Sequence, residues 1–438
     1  MDNPKKTTPP DLFKVIKENE KLLTKIISLK YKKQDRQKEL SIIVNSRAYK
    51  IWRLFIKLRK YLLLIPAQLL FRLPISVFYT AIFTLIFIFS KFVSIFQVFT
   101  GKKLTLTTRE TILDGISFII PTWNKKNMVL KCLSLLDQIA TAERSELPVE
   151  IIVVENGSID GTFDALNKLK TKNRLLVLKQ STNLGYAKAV NLAVQTAQYN
   201  YVYLLNNDME PQKNFLSELI KLTRKLIDKN KLFFGIASQI FFYDKTKRRE
   251  ESGKTFFHMH NGFLDVAHVI NKYNLEDISI IAYAGGGSSL INKHLLVKLG
   301  LLDHKTYTPL YCEDMDIGYL AWKYGYPSYF LPSSQIIHHH QSSSKNLSRD
   351  PRYYMYKNFV AFILKNTMSS KLFFKYLTVF MFRINLSEDA YNYATENLLN
   401  VFNIFKSRVK SNKYLSVFSD NKLFDFVKFE TKYGSRFL

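Results

Sequence analysis

The 438-residue chain has room for one large domain or for two to three modest ones, and its 47% hydrophobic content excludes global disorder. A formal charge of +28 calls for an anionic partner, which leaves nucleic acid, an anionic membrane face or a phosphate-bearing substrate. Only Cys132 and Cys312 occur, far apart and without metal spacing, so neither a disulfide framework nor a cysteine zinc site is indicated and a reducing compartment fits.

Composition divides the chain into segments 1–46, 47–110, 111–345 and 346–438. The first is polar and basic. Met1–Pro10 lacks an apolar h-region, so no cleavable signal peptide is expected, and 11–40 reads as an exposed helix rich in Lys, Glu, Leu and Ile. The second begins with Lys50, Arg53, Lys57 and Lys60 at helical spacing, while Ile51, Leu54, Phe55, Leu58 and Leu62 fall largely on another side. That is the pattern of a basic amphipathic helix lying among lipid headgroups. The stretch LPISVFYTAIFTLIFIFS (73–90) then carries no charge and approaches the lower length limit for a spanning helix. Both its flanks are basic, which leaves two topologies open: a single span, or a re-entrant hairpin around Pro66 and Pro74.

The third segment alternates short apolar runs with helical patterns. ISFII (116–120), EIIVV (150–154), LLVL (175–178) and YVYLL (201–205) read as buried strands, with helices at Met128–Ala142, Gly161–Lys170 and Ala187–Gln198. Such alternation specifies an α/β fold, a mostly parallel sheet with helices on both faces. Ligands of such sheets bind beyond the carboxyl ends of the strands.

Each strand here ends in polar residues. Pro121-Thr122-Trp123-Asn124 follows the first, with the proline expected to stop the strand. Glu155-Asn156-Gly157-Ser158-Ile159-Asp160-Gly161-Thr162 follows the second, Asn183-Leu184-Gly185-Tyr186-Ala187-Lys188-Ala189 the third (leading to Asn191), and Asn206-Asn207-Asp208 the fourth. Taken singly these are ordinary capped turns; four in succession make a site.

Their order, IIPTWN, VVENGSIDGT, NLGYAKAVN and LLNND, resembles the family-two glycosyltransferases of the GT-A fold, most of all the rhamnosyltransferase-like enzymes of bacterial surface polysaccharide. The resemblance covers roughly 115–360. It implies a Rossmann-like nucleotide-diphospho-sugar transferase domain with helical membrane-associated flanks. Glu155 takes the place of the acid that contacts the nucleotide base, where the family usually has Asp. Pro121, Thr122, Asn124, Asn156, Asn183, Gly185, Asn191 and Asn207 are implied to line the nucleotide-sugar pocket. At the family's Asp-x-Asp metal motif this chain has Asn206-Asn207-Asp208, so one carboxylate is missing. Asp208 is the implied ligand for Mg2+ or Mn2+, and Asn206 is at best a neutral helper.

Further on, AYAGGGSSLINKHLLVKLGLLD (282–303) reads as a glycine loop, a strand and a helix, and the resemblance places Gly286 and Ser288 by the donor sugar. Tyr311-Cys312-Glu313-Asp314-Met315-Asp316 puts acids around the first turn of a helix expected at about 314–324, which the helix dipole stabilises whatever their role. The resemblance makes Asp314 the catalytic base, Glu313 its acceptor-side neighbour and Asp316 a structural partner. After a strand at 327–332 comes His338-His339-His340. Neighbouring residues on a strand face opposite ways, so only His338 and His340 can share a site, and the resemblance places a histidine near the metal or diphosphate.

In the last segment, RYYMYKN (352–358) either closes over phosphate or covers the domain edge, and KLFFKYLTVFMFRI (371–384) is a membrane-surface helix or one closing the catalytic domain. The whole reads as an inverting, metal-assisted transferase on the cytoplasmic face of a membrane. Its donor is a UDP or dTDP sugar and its acceptor a glycan or a lipid-linked glycan. The rivals are a non-catalytic scaffold, a nucleotidyltransferase and a basic nucleic-acid-binding protein. The last lacks any helix-turn-helix, zinc-finger or RNP motif, and no nucleic-acid partner is expected.

Overall fold

The computed structural model describes residues 65–100, 112–142, 147–244, 251–260, 263–270, 275–339 and 348–412, together with 50, 51, 53, 414, 416–420 and 423. The expected helices at 11–40 and 47–62 therefore lie outside the described residues, apart from Lys50, Ile51 and Arg53. The chain divides into two units, Met1–Phe71 and Arg72–Leu438. The second holds every element below except the first turns of the opening helix.

That helix, α1 (Ile65–Phe99), is continuous, with Pro66 in its first turn and Pro74 inside it. The re-entrant hairpin around these prolines does not form. Proline suits a first turn, and at position 74 it removes one intrahelical hydrogen bond without ending the helix.

The sheet follows the expected apolar runs: β1 (Ile116–Thr122), β2 (Val149–Glu155), β3 (Arg174–Lys179) and β4 (Tyr201–Leu205). Between them run α2 (Lys126–Ala142), α3 (Thr162–Lys168) and α4 (Tyr186–Thr196). β1, β2 and β4 are buried almost throughout, as continuous hydrophobic strands covered on both faces must be. Pro121 does not stop β1. It stays in register with Val154 of β2, and pairing with β4 has already ended at Ile119, so the missing proline N–H costs no ladder bond.

Beyond β4 come β5 (Met209–Pro211), α5 (Phe215–Asp228), β6 (Gly235–Phe242), the hairpin β7 (Thr255–His260) and β8 (Phe263–His268), β9 (Ser279–Ile281) and β10 (Ser288–Asn292). Two helices, α6 (Lys293–Leu299) and α7 (Glu313–Lys323), precede β11 (Ser328–His338). The nine-stranded sheet has the order β3-β2-β1-β4-β10-β6-β11-β5, with β9 on β11. β10 enters antiparallel between β4 and β6, and β5 and β9 are antiparallel to β11, while the other six strands run one way. Alternating residues feed two cores. Phe118, Ile151 and Tyr203 face the side that takes α2 and α5, whereas Ile119, Ile152 and Val202 face α4 and α6.

β11 is longer than the expected 327–332. It is interrupted by an irregularity between Leu331 and Gln335, then pairs onward to His338. Pro332-Ser333-Ser334 reads as a terminator in sequence, yet a bulge absorbs it and the strand continues.

Four helices follow: α8 (Pro351–Asn366), α9 (Ser370–Leu386), α10 (Glu388–Leu399) and α11 (Val401–Ser411). They bury charges that fix α7. Lys365 Nζ lies 2.6 Å from Asp316 and 2.9 Å from Asp303, and Asn366 Nδ2 and Tyr307 OH donate to Asp316 at 2.6 and 2.7 Å. Burial alone would lower the Lys365 ammonium, but Asp316 and Asp303 hold it above its ordinary range. Asp316 is thus a structural acid, as expected. Removing one partner of a buried ion pair typically costs about 3 to 5 kcal/mol, because the other charge is stranded. Lys365→Met should therefore lose about that much in urea unfolding, and adding Asp303→Asn and Asp316→Asn should recover part of it. A loss below about 1 kcal/mol would show the pair to be idle.

Candidate active site

The β1–α2 and β2–α3 loops are stitched together by side chains. Asn124, at φ 49°, donates its backbone N–H to Ser158 Oγ (3.0 Å), and its Oδ1 accepts from the N–H of Ile159 (2.8 Å). Asp160 accepts from the N–H of Lys126 (3.0 Å), opening α2, and from that of Thr162 (3.1 Å), opening α3. Gly157 has φ 77°, and a Cβ there would stand 2.7 Å from the backbone of Thr182, so glycine lets the second loop lie against the third.

Glu155 is buried and accepts from the N–H of Ser158 (2.6 Å), closing its own turn. Asn156 donates to Asn183 Oδ1 (2.9 Å) and accepts from the N–H of Leu184 (2.8 Å), while the N–H of Gly185 donates to the same Asn183 oxygen (2.8 Å). Asn191 departs from its expected place in the pocket. Both ends of its amide are bonded to the backbone of Leu302, at 2.8 and 2.9 Å, so it ties α4 to the segment after α6. The motif gave the residue but not its partner.

The turn Asn206-Asn207-Asp208 is the hub. Asn207 Nδ2 donates to Thr122 Oγ1 at 2.8 Å, reaching the first loop beside Pro121. The backbone N–H of Asn206 donates to the carbonyl of Gly287 (3.0 Å), and its side chain packs so closely there that a Cβ on Gly287 would sit 2.7 Å from Nδ2. Asp208 Oδ2 lies 3.2 Å from His338 Nε2. Three consecutive residues thus reach three different parts of the fold.

Gly285–Gly287 carry the connection onward. None of the three has a positive φ; what they supply is space. A Cβ on Gly286 would stand 2.8 Å from the Tyr186 hydroxyl, which donates to the carbonyl of Gly286. The N–H of Gly286 donates to Asp314 Oδ2 at 2.9 Å. Ser288 follows, buried at the start of β10 opposite Leu205.

Asp314 and Glu313 open α7 directly after Tyr311 and Cys312, both left-handed with φ 73° and 76°. Two such non-glycine residues in a row cost on the order of 1 to 3 kcal/mol each, and surrounding structure must hold them. Here α8 does so: Lys357 Nζ donates to the carbonyl of Thr308 (2.6 Å), and Asn358 Nδ2 to those of Leu310 (2.8 Å) and Tyr311 (3.1 Å). The RYYMYKN segment therefore braces the acid loop from behind.

Burial pushes the Glu313 carboxyl up to about 8, and the charge of Asp314 adds to the shift. Burial also raises Asp314, but donation from the N–H groups of Gly286 and Met315 opposes it.

Beyond the acid pair, Asp208 meets the end of β11. Asp208 and His338, whose Oδ2 and Nε2 stand 3.2 Å apart, are the side chains that would hold a divalent cation here. No group of three or more His, Cys, Asp or Glu suited to a metal occurs among the described residues. His338 also contacts Glu251. Burial would lower this imidazole, yet its hydrogen bonds to Asp208 and Glu251 raise it to about 9, and a metal bound there would have to displace that proton. His339 points elsewhere, to Glu210 (2.8 Å), as strand alternation requires, and His340 lies outside the described residues. Glu251 was not expected in the site. It ends a charged run, DKTKRREE, that reads in sequence as a solvated loop.

Residues 117–275 match the family described as Glycosyl transferase family 2. That match begins in β1 and ends after β8, short of the acid helix α7, and the sheet it covers is GT-A in fold. Similar curated proteins include the chondroitin synthase of Escherichia coli, 24% identical over 268 residues that cover 56% of this chain and 38% of that one. The poly-beta-1,6-N-acetyl-D-glucosamine synthase of Staphylococcus aureus (strain MSSA476) is 29% identical over 96 residues, 22% of each chain. The chain thus spans well under two thirds of these relatives. Among solved structures, GalNAc-T7 with UDP, GalNAc and Mn2+ gives a TM-score of 0.49 at 15% identity, covering 73% of this chain and 57% of that one. S. aureus TarS 1-349 with UDP-GlcNAc gives 0.41 at 16%, covering 72% and 91%.

The acid helix α7 carries a pH signature in Glu313. Its folded carboxyl is raised from an ordinary value of 4.5 to about 8, so across that window the folded state binds more protons than the unfolded one and stability falls as pH rises. Glu313→Gln cannot ionise. The Tm of the variant relative to wild type should therefore climb from about pH 5 to about pH 8, and a flat difference in calorimetry would refute the shift.

Proposed function

We propose that the protein transfers a sugar from a nucleoside-diphosphate sugar to an acceptor hydroxyl with inversion at the anomeric carbon, in the synthesis of a surface polysaccharide or glycolipid. One observation carries this reading: the Gly285–Gly287 strap joins the Asp208 turn to the Asp314 carboxylate through two backbone hydrogen bonds, from Asn206 to Gly287 and from Gly286 to Asp314.

The nucleoside lies over Thr122, Asn124 and Glu155, with Asn183 and Gly185 beside it. Asp208 and His338 would hold Mg2+ or Mn2+ together with the donor diphosphate, and the metal would supply charge stabilisation to the leaving nucleotide. Asp314 takes the proton of the acceptor hydroxyl as its oxygen attacks the anomeric carbon from the side opposite the diphosphate. Glu313, neutral at physiological pH, lies on the acceptor side and offers a hydrogen-bond donor. Gly286 and Ser288 border the sugar. The relatives named as chondroitin and poly-N-acetylglucosamine synthases support a polysaccharide product, and the exposed apolar face of α1 supports an acceptor at the cytoplasmic membrane surface.

Calorimetry of UDP and dTDP binding tests the donor end. One of them should bind with Mn2+ or Mg2+ and not with chelator, and Asp208→Ala should weaken it by at least about tenfold, the scale on which even outer-shell partners of metals act. Metal-independent binding unchanged in the variant would remove Asp208 from the site. Proton NMR of the first product tests the stereochemistry: the glycosidic bond should have the anomeric configuration opposite to the donor's. Retention would sink the single in-line displacement.

A further inference from the structure

α1 is apolar enough to cross a membrane, and only 22% of its most apolar window is buried. Its buried stripe is Ser76, Tyr79, Phe83, Phe87, Ser90 and Ser94, spaced as one helical face. From Ser76 to Ser94 that stripe runs about 27 Å along the axis, nearly the hydrocarbon thickness of a bilayer. Throughout this length the stripe is occupied by protein. Asn385 of α9 donates to Ser76 (3.0 Å), the hydroxyls of Tyr79 and Tyr376 meet at 3.2 Å, and Phe87 stacks on Phe373 at 4.3 Å. At Ser90 the contact is Arg408 of α11, whose Nε donates at 2.8 Å while its other nitrogens hold the carbonyls of Leu364, Lys365 and Thr367 at the end of α8.

A spanning α1 would drag these partners through the hydrocarbon. α9 runs antiparallel beside it with Lys371, Lys375 and Arg383 exposed, and α10 follows at once with Glu388 and Asp389 exposed. Lipid excludes such a surface. The opposite face of α1 is of another kind: Val77, Leu85, Ile88, Phe92, Phe96 and Phe99 are each more than half exposed. Helix α9 adds Phe374 and Phe382, also exposed, next to its basic residues.

We propose that α1 is a monotopic anchor lying in the plane of an anionic lipid surface, its outer face in the acyl boundary and its inner face clamped on α9 and α11. The anionic character follows from charge. No Asp or Glu occurs between Ser41 and Arg109 or between Asn366 and Ser387, whereas basic residues occur in both stretches. In-plane helices of this type sink about 5 to 10 Å. The proposal settles the geometry of the membrane contact suggested above and does not depend on the donor chemistry.

The test is spin-label depth on the full chain bound to phosphatidylcholine–phosphatidylglycerol vesicles. The native Cys132 and Cys312 are free but buried, so labels can be directed to Val77→Cys, Leu85→Cys, Phe92→Cys and Phe99→Cys one at a time. All four should report similar, shallow immersion by oxygen and nickel accessibility. Vesicles of phosphatidylcholine alone should bind at least tenfold more weakly. A profile deepest at Leu85 and Phe92, with Val77 and Phe99 near water, would mean a span and overturn the proposal. Labels that stay in water, with protein that does not float with vesicles, would overturn it equally. Neither readout involves sugar transfer, so failure here is distinct from failure of the catalytic reading.

Discussion

The N–H of Gly286 reaches the carboxylate of Asp314 only because residues 285–287 have no side chains to hold the neighbours apart. Tyr186, Asn206 and Asp314 crowd the strap on three sides, and a single methyl on Gly286 or Gly287 would press into a hydroxyl or an amide. Through that contact the acid helix α7 and the Asn206-Asn207-Asp208 turn share one short stretch of backbone. The site is therefore held to the sheet at β10, the strand that enters antiparallel between β4 and β6. Were β10 parallel, its glycine end would lie at the opposite edge of the sheet from the turn after β4.

Rigidity at this point is supplied from behind. Tyr311 and Cys312 adopt left-handed backbone to aim Glu313 and Asp314, and α8 holds them with Lys357 and Asn358 while its last turn captures Asp316 through Lys365 and Asn366. The same helix end is gripped by Arg408, which also bonds Ser90 of α1. A chain of buried polar contacts thus runs from the candidate base to the apolar helix. Buried charges of this kind are costly to leave unpaired, which favours one arrangement of α7, α8 and α11 over looser alternatives.

The first half of the fold was plain in the sequence, because β1, β2 and β4 are buried on both faces and so appear as unbroken apolar runs. The second half was less so. β5 and β9 have three residues each, too short for any period, and β11 passes through Pro332-Ser333-Ser334, chemistry that ordinarily marks a strand's end. Missing that bulge hides the reason His338 reaches Asp208: the strand continues until His338 pairs beside Met209. Site residues in local motifs were legible by type. Their partners were not, since Asn191 spends its amide on Leu302, more than a hundred residues away, and Glu251 comes from a charged run with no motif. The membrane geometry was open in sequence because a helix clamped on one face has the same composition as one that spans.

The central claim is that Asp314 is the base of a displacement at a nucleotide-sugar site. The most direct measurement is the transfer rate of Asp314→Asn beside its affinity for the nucleoside diphosphate, at a pH where wild type is fully active. The account predicts that transfer falls by about 100-fold to 10,000-fold or more while nucleotide affinity stays within a few-fold of wild type. Transfer at the wild-type rate, with binding intact, would contradict it and move the proton acceptor elsewhere.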